Sequence, residues 1–173
     1  MTELADRPDT STHAIGQPIR RKEDARLLTG ATNWTDNIQL PGALHMVFVR
    51  SPHAHAKITR IDLTAARAMP GVVAAYTADD LGDANPKVIC VWAVVEGTVM
   101  PEFPALAAGE VHYAGDIVAV VLATDRYLAA DAADAVEVDY EPLPAVIDME
   151  AALADGADLV HADKGSNECF TKQ

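Results

Sequence analysis

The sequence predicts an α/β (α+β) fold, a mixed β-sheet with helices packed on it. Three observations carry this. Ile117 to Ala123 (IVAVVLA) is apolar without alternation, as expected of a strand covered on both faces. In the stretch that follows, Leu128, Ala132, Ala135 and Val136 fall at i, i+4, i+7 and i+8, one face at helical spacing. Val136 to Tyr140 then returns as a strand, which Pro142 and Pro144 stop.

Within this central unit a short strand from Glu110 leads into a Gly115-Asp116 turn. Thr124 or Asp125 caps the helix. The helix face is mostly alanine, and the chain holds 32 alanines against 5% aromatics. Small side chains of this kind let a helix sit close against a sheet.

Residues 1–17 read as a mobile polar leader. Arg20-Arg21-Lys22-Glu23-Asp24 is a charge cluster that switches sign, either a solvated surface segment or a docking contact. Leu27 and Leu28 are expected to anchor this stretch on the domain, and Gly30 to end it. Leu40-Pro41-Gly42 is a turn signal. Strands are expected over 44–50, 57–61 and 72–76. Asp62 caps a short helix through Thr64, Ala65, Ala66 and Arg67, which Pro70-Gly71 terminates. Thr77-Ala78-Asp79-Asp80 is a helix start of the capping-box kind, closed by Gly82. Residues 82–109 are the least regular part, with one strand expected around Val88 to Val95. A short helical turn is expected from Asp148 to Ala154, and Leu159-Val160-His161 is a last apolar patch. The tail KGSNECFTKQ stops without a capping element, as a cut between domains would.

The net charge of −13 is uneven: residues 1–87 balance, and residues 88–173 carry all of it. Such an acidic half repels nucleic acid. The two cysteines, Cys90 and Cys169, form no C-x-x-C pattern, which excludes a cysteine-ligated cluster within this chain alone. The first residues lack an apolar signal core, and the longest apolar run is too short to span a bilayer. A cytoplasmic, reduced protein is expected.

Several residue groups invite a chemical reading. His53-x-His55 places two imidazoles on one side of an extended segment and could start a metal site. No third ligand lies at a short fixed spacing, and Lys57 is close by, so packing is the expected role. Glu137, Asp139 and Glu141 share one side of a strand; three repelling carboxylates suggest an exposed edge, protected from aggregation, more than acid–base work. Asp131 and Asp134 read as a solvated helix face. No phosphate-binding glycine motif occurs, and Ser11, Ser51 and Ser166 lie in no G-x-S-x-G. Cys90 sits in an apolar run, where a thiol is packing. No catalytic, cofactor-binding or metal-binding residue is assigned.

Four stretches together carry a resemblance: IGQPIRRKEDARLLTGATNWTDNIQLPGALHMVFVRSPHAHAKITRID (15–62), AARAMPGVVAAYTADDL (65–81), VHYAGDIVAVVLATDRYLAADAADAVEVDYEPLPAVID (111–148) and LVHADKGSN (159–167). They are similar to the N-terminal α/β hammerhead domain of molybdenum hydroxylase large subunits, a family that includes xanthine dehydrogenase, aldehyde oxidase and the carbon monoxide dehydrogenase large chain. One departure stands out. The family commonly shows Gly-Glu-Pro-Val where this chain has Gly115-Asp116-Ile117-Val118, so an acid is kept and the proline is lost.

The resemblance implies residues 18–167 as the hammerhead and residues 168–173 as a tail leading to molybdopterin-binding domains. It implies a parent oxidoreductase that hydroxylates an aldehyde, an N-heterocycle or carbon monoxide at a molybdenum–pterin centre, with oxygen from water. Electrons would leave through 2Fe-2S and FAD partner subunits. The family's cofactor contacts lie beyond its hammerhead, so the resemblance carries no catalytic residue onto this chain. The chain alone is expected to be a non-catalytic structural domain. A free-standing interaction module is the alternative, and a small metal protein built on His53 and His55 is a third.

Overall fold

A computed structural model describes residues 15, 16, 18–38, 40–88 and 97–171. The expected leader therefore lies almost wholly outside the described residues. So do Cys90 and the run around it, apart from Val88. The chain divides between Pro41 and Gly42 into two compact units.

In the first unit the charge cluster folds locally. Helix α1 spans Asp24–Leu28. Arg21 Nε donates to Asp24 Oδ1 at 2.9 Å, and Thr29 Oγ1 donates to the Ala25 carbonyl at 2.8 Å. Gly30, at φ 70°, ends the turn as its position suggested. Leu28 is 87% exposed. A five-residue helix presents barely more than one turn, and α1 buries no residue.

The second unit holds strands β1 (His45–Arg50) and β2 (Ala56–Asp62), helix α2 (Thr64–Ala68), β3 (Val72–Thr77) and α3 (Ala78–Leu81). Two-residue strands β4 (Lys87–Val88), β5 (Phe103–Pro104) and β6 (Glu110–Val111) follow, then β7 (Ile117–Ala123), α4 (Arg126–Asp134) and β8 (Glu137–Pro142). The fold class is the expected one, with helices packed on sheet. The pairing differs from a single mixed sheet: the described strands form sheets ordered β1-β7-β3, β6-β2-β8 and β4-β5, each ladder antiparallel. The reason is the route of the return strand. After α4 the chain does not come back beside β7, as a parallel crossover would. It crosses to the second sheet and pairs with β2.

β7 organises the interior because both of its faces are covered. Ala119 and Val121 point into a cluster with Leu63, Ala66, Ala75 and Ala132. Val118 points the other way, into a cluster with Ala56, Ala107 and Val111. Val120 joins Ala78 and Leu106. This period of two explains the unbroken apolar run. On α4 the buried residues are Ala129 and Ala132, with Ala135 and Val136 packed at the margin. The buried face is thus turned toward Ala129, and Leu128 lies over Gly71. At Gly71, φ is +82° and a Cβ would lie 2.5 Å from Leu128 Cδ1, so only glycine fits.

The caps follow the sequence closely. Asp125 Oδ1 accepts from the Tyr127 and Leu128 amides at 2.8 and 3.3 Å, which makes it the cap of α4. Asp62 Oδ1 accepts from the Thr64 amide at 2.8 Å. The Thr77 amide donates to Asp80 Oδ2 at 2.8 Å, and the Asp80 amide donates back to Thr77 Oγ1 at 3.4 Å. In the irregular stretch, Asn85 holds the chain by donating from Nδ2 to the Leu106 carbonyl and accepting the Leu106 amide. The helical turn expected at 148–154 is a single 3-10 turn, Ala151–Leu153. No helix among the described residues is long and apolar enough to cross a membrane.

Candidate functional site: a histidine–glutamate cluster beside an apolar groove

Strand register builds the cluster. β2 and β6 pair with Ala56 opposite Val111 and Lys57 opposite Glu110. His55, Glu110 and His112 flank that junction, and one ligand atom from each lies within 4.8 Å of the others. His55 is buried. Its Nδ1 lies 2.7 Å from the Pro144 carbonyl and its Nε2 lies 2.7 Å from Glu110 Oε1. His112 Nδ1 is 3.6 Å from the same Oε1. That Nδ1 is buried and makes no hydrogen bond among the described residues. The His161 ring rests on His112 with centroids 4.2 Å apart. The Asp116 carboxylate holds the His112 amide at 3.2 Å and so sets where this strand ends.

His53 is not part of this cluster. The expected extended segment bends between Pro52 and His55, and the His53 ring turns to Tyr140, with centroids 4.9 Å apart. A bend breaks the period-of-two rule that placed both imidazoles on one side. Sequence reasoning named His55 but not Glu110 or His112. The one available signal was a second alternating pair, Glu110-x-His112.

The acidic row on β8 is exposed and lies on a sheet edge, as expected. It is not a row of bare repelling charges. Arg60 Nη1 lies 3.4 Å from both Glu137 and Asp139, and Lys57 lies 4.0 Å from Glu141. At such exposure these pairs add little stability. Asp131 and Asp134 are exposed on α4. Ser51 is buried and closes a turn, its Oγ accepting the His53 amide at 3.0 Å. Ser166 Oγ accepts the Glu168 amide.

His112 and His161 also line one wall of a groove of about 700 Å³. The rest of its lining is mostly apolar and includes Met100, Phe103, Met149, Leu153 and Phe170, with Asp148, Lys164 and Glu168 among them. Ile147 and Met149 at its rim are 91% and 88% exposed. Together with the apolar lining they extend an exposed apolar patch. Asn167 fixes one side, accepting the Val160 amide at 2.9 Å and donating to the Ala152 and Asp158 carbonyls at 3.0 and 2.8 Å.

The family description "Aldehyde oxidase and xanthine dehydrogenase, a/b hammerhead domain" matches residues 29–144. The chain belongs to this hammerhead family. It is 45% identical over 142 residues to the carbon monoxide dehydrogenase large chain of Hydrogenophaga pseudoflava, covering 82% of this chain and 17% of that protein. It is 42% identical over 148 residues to the 6-hydroxypseudooxynicotine dehydrogenase complex subunit gamma of Paenarthrobacter nicotinovorans, covering 84% of this chain and 19% of that one. Among solved structures it resembles quinoline 2-oxidoreductase from Pseudomonas putida 86, with TM-score 0.78, 39% identity, and 88% of this chain on 19% of that chain. The hammerhead chain thus spans under a fifth of the length of these relatives.

The cluster separates two histidines electrostatically. Burial alone would lower His55, but the Pro144 carbonyl and the Glu110 carboxylate, one on each ring nitrogen, outweigh it and hold His55 above the ordinary histidine value of 6.5. Burial, and then the neighbouring His112, hold His161 below 6.5. The signs oppose. The stability His55 contributes is fully present below pH 6.5 and is lost as pH rises through its folded value. His161 favours the folded state above pH 6.5, and that contribution is lost as pH falls through its folded value. In chelator-treated protein, an NMR titration of the ring protons should show His55 titrating above pH 6.5 and His161 below it. The reverse order would contradict the geometry described here.

Proposed function

We propose that this hammerhead is a non-catalytic structural domain of the molybdopterin-binding large subunit of a molybdenum hydroxylase. The observation that supports it most is the apolar groove, whose Ile147 and Met149 stand almost bare at its rim. Further domains of the large subunit would cover that groove and carry the molybdenum–pterin centre. The parent enzyme would oxidise an aldehyde, an N-heterocycle or carbon monoxide with water as oxygen source. Iron–sulfur and flavin subunits would take the electrons, in the cytoplasm. The relatives' names support an oxidoreductase of this kind, and two of them are subunits or chains of larger complexes.

The test is an affinity pull-down with antibody to this domain, from cells that make the protein. The native chain mass, the molybdenum content and the co-purifying subunits are read together. A much longer chain with molybdenum and with iron–sulfur and flavin partners is the expected result. A chain near 18.4 kDa without molybdenum would overturn the proposal in favour of a free-standing interaction module.

A further inference from the structure

We propose that His55, Glu110 and His112 form a binding site for a divalent transition-metal cation of the zinc type. Three features converge. The donor set is two imidazoles and a carboxylate, which suits Zn²⁺ with a fourth position left open. The donor atoms already lie within 4.8 Å of one another. Among the described residues His112 Nδ1 is buried with no hydrogen-bond partner, and an ion would give that nitrogen one.

The surroundings suit the same role. A metal-ligating histidine usually has its other ring nitrogen held by a carbonyl or carboxylate, which orients the ring. His55 has that arrangement: Nδ1 is held by the Pro144 carbonyl at 2.7 Å, which turns Nε2 toward Glu110. Zn–N distances of about 2.0–2.1 Å imply donor atoms about 3.3 Å apart in a tetrahedron. The 2.7 Å between His55 Nε2 and Glu110 Oε1 is too short for an ion on the line between them. The carboxylate must back away by about 0.6 Å to reach that tetrahedral edge. Glu110 is free to do so, with its side chain 32% exposed. The 3.6 Å from Glu110 Oε1 to His112 Nδ1 is already close to the required edge. An ion there would tie the turn before β2, strand β6 and the segment after β8 into one clamp.

The probe is Zn²⁺ added to the 173-residue chain after chelator treatment. Calorimetry should show saturation at one ion per chain, with a rise in melting temperature. His112→Gln and Glu110→Gln should each weaken binding at least about tenfold and abolish the rise. On the unsubstituted chain, NMR should show the ring signals of His55 and His112 moving with Zn²⁺ while those of His45 and His53 stay. This second reading requires no variant to fold. Absence of saturable binding would overturn the proposal. So would affinity unchanged in both variants, or shifts confined to His45 and His53.

Discussion

Ala132→Leu is expected to destabilise the chain by roughly 2–3 kcal/mol, near the upper end of what overpacking a close-packed core costs. Ala132 has no exposed surface and lies in one cluster with Ala66, Ala75, Ala119 and Val121. Apart from Leu63 the buried neighbours are small, so α4 lies close to the sheet and there is little room for added carbons. Three added carbons must lift the helix or force strained rotamers. Ala130→Leu is the control. It lies on the same helix but is exposed, and should change stability by under about 0.5 kcal/mol. Urea unfolding reads both, as a lower midpoint at unchanged slope for Ala132→Leu only. Equal midpoints for the two variants would show that α4 does not press on β7.

Asp116→Ala should cost a similar amount, about 2–4 kcal/mol, by a different route. Asp116 is 7% exposed. Its carboxylate accepts the His112 amide at 3.2 Å and the Ile117 amide at 3.0 Å, so truncation orphans two backbone donors. The turn around it is fixed from the other side as well. The Ser51 amide donates to the Asp116 carbonyl and the Gly115 amide donates to the Ser51 carbonyl, each at 2.8 Å. Asp116→Asn keeps one accepting oxygen and should recover about half of the loss. If Ala and Asn cost the same, the carboxylate is not what holds the turn. Ile117 offers an N–H that a proline in its place would lack, and Asp116 accepts it.

Local signals were readable in the sequence and distant pairings were not. Asp125, Asp62 and the Thr77/Asp80 box act over two or three residues, so residue type and spacing suffice to place them. The burial of β7 on both faces was equally plain from its composition. The sense of the sheets was not, because nothing in β8 itself says that it pairs with β2 and not with β7. The histidine–glutamate cluster was missed for the same reason. His55 meets Glu110 and His112 only through the β2–β6 register. The groove draws on residues from 98 to 170 with no shared periodicity, so no window of sequence contains it.

The pairing of β1 and β3 with β7 also sets a timetable for synthesis. Neither has a ladder partner among the described residues until Ile117–Ala123 has left the ribosome, and β2 waits likewise for β6 and β8. At 5–20 residues per second, β1 therefore spends on the order of 3–15 s outside the exit tunnel as an unpaired HMVFVR segment. During that interval Met46, Val47 and Phe48 lack the Leu122, Val121 and Val120 partners that they face in the finished ladder.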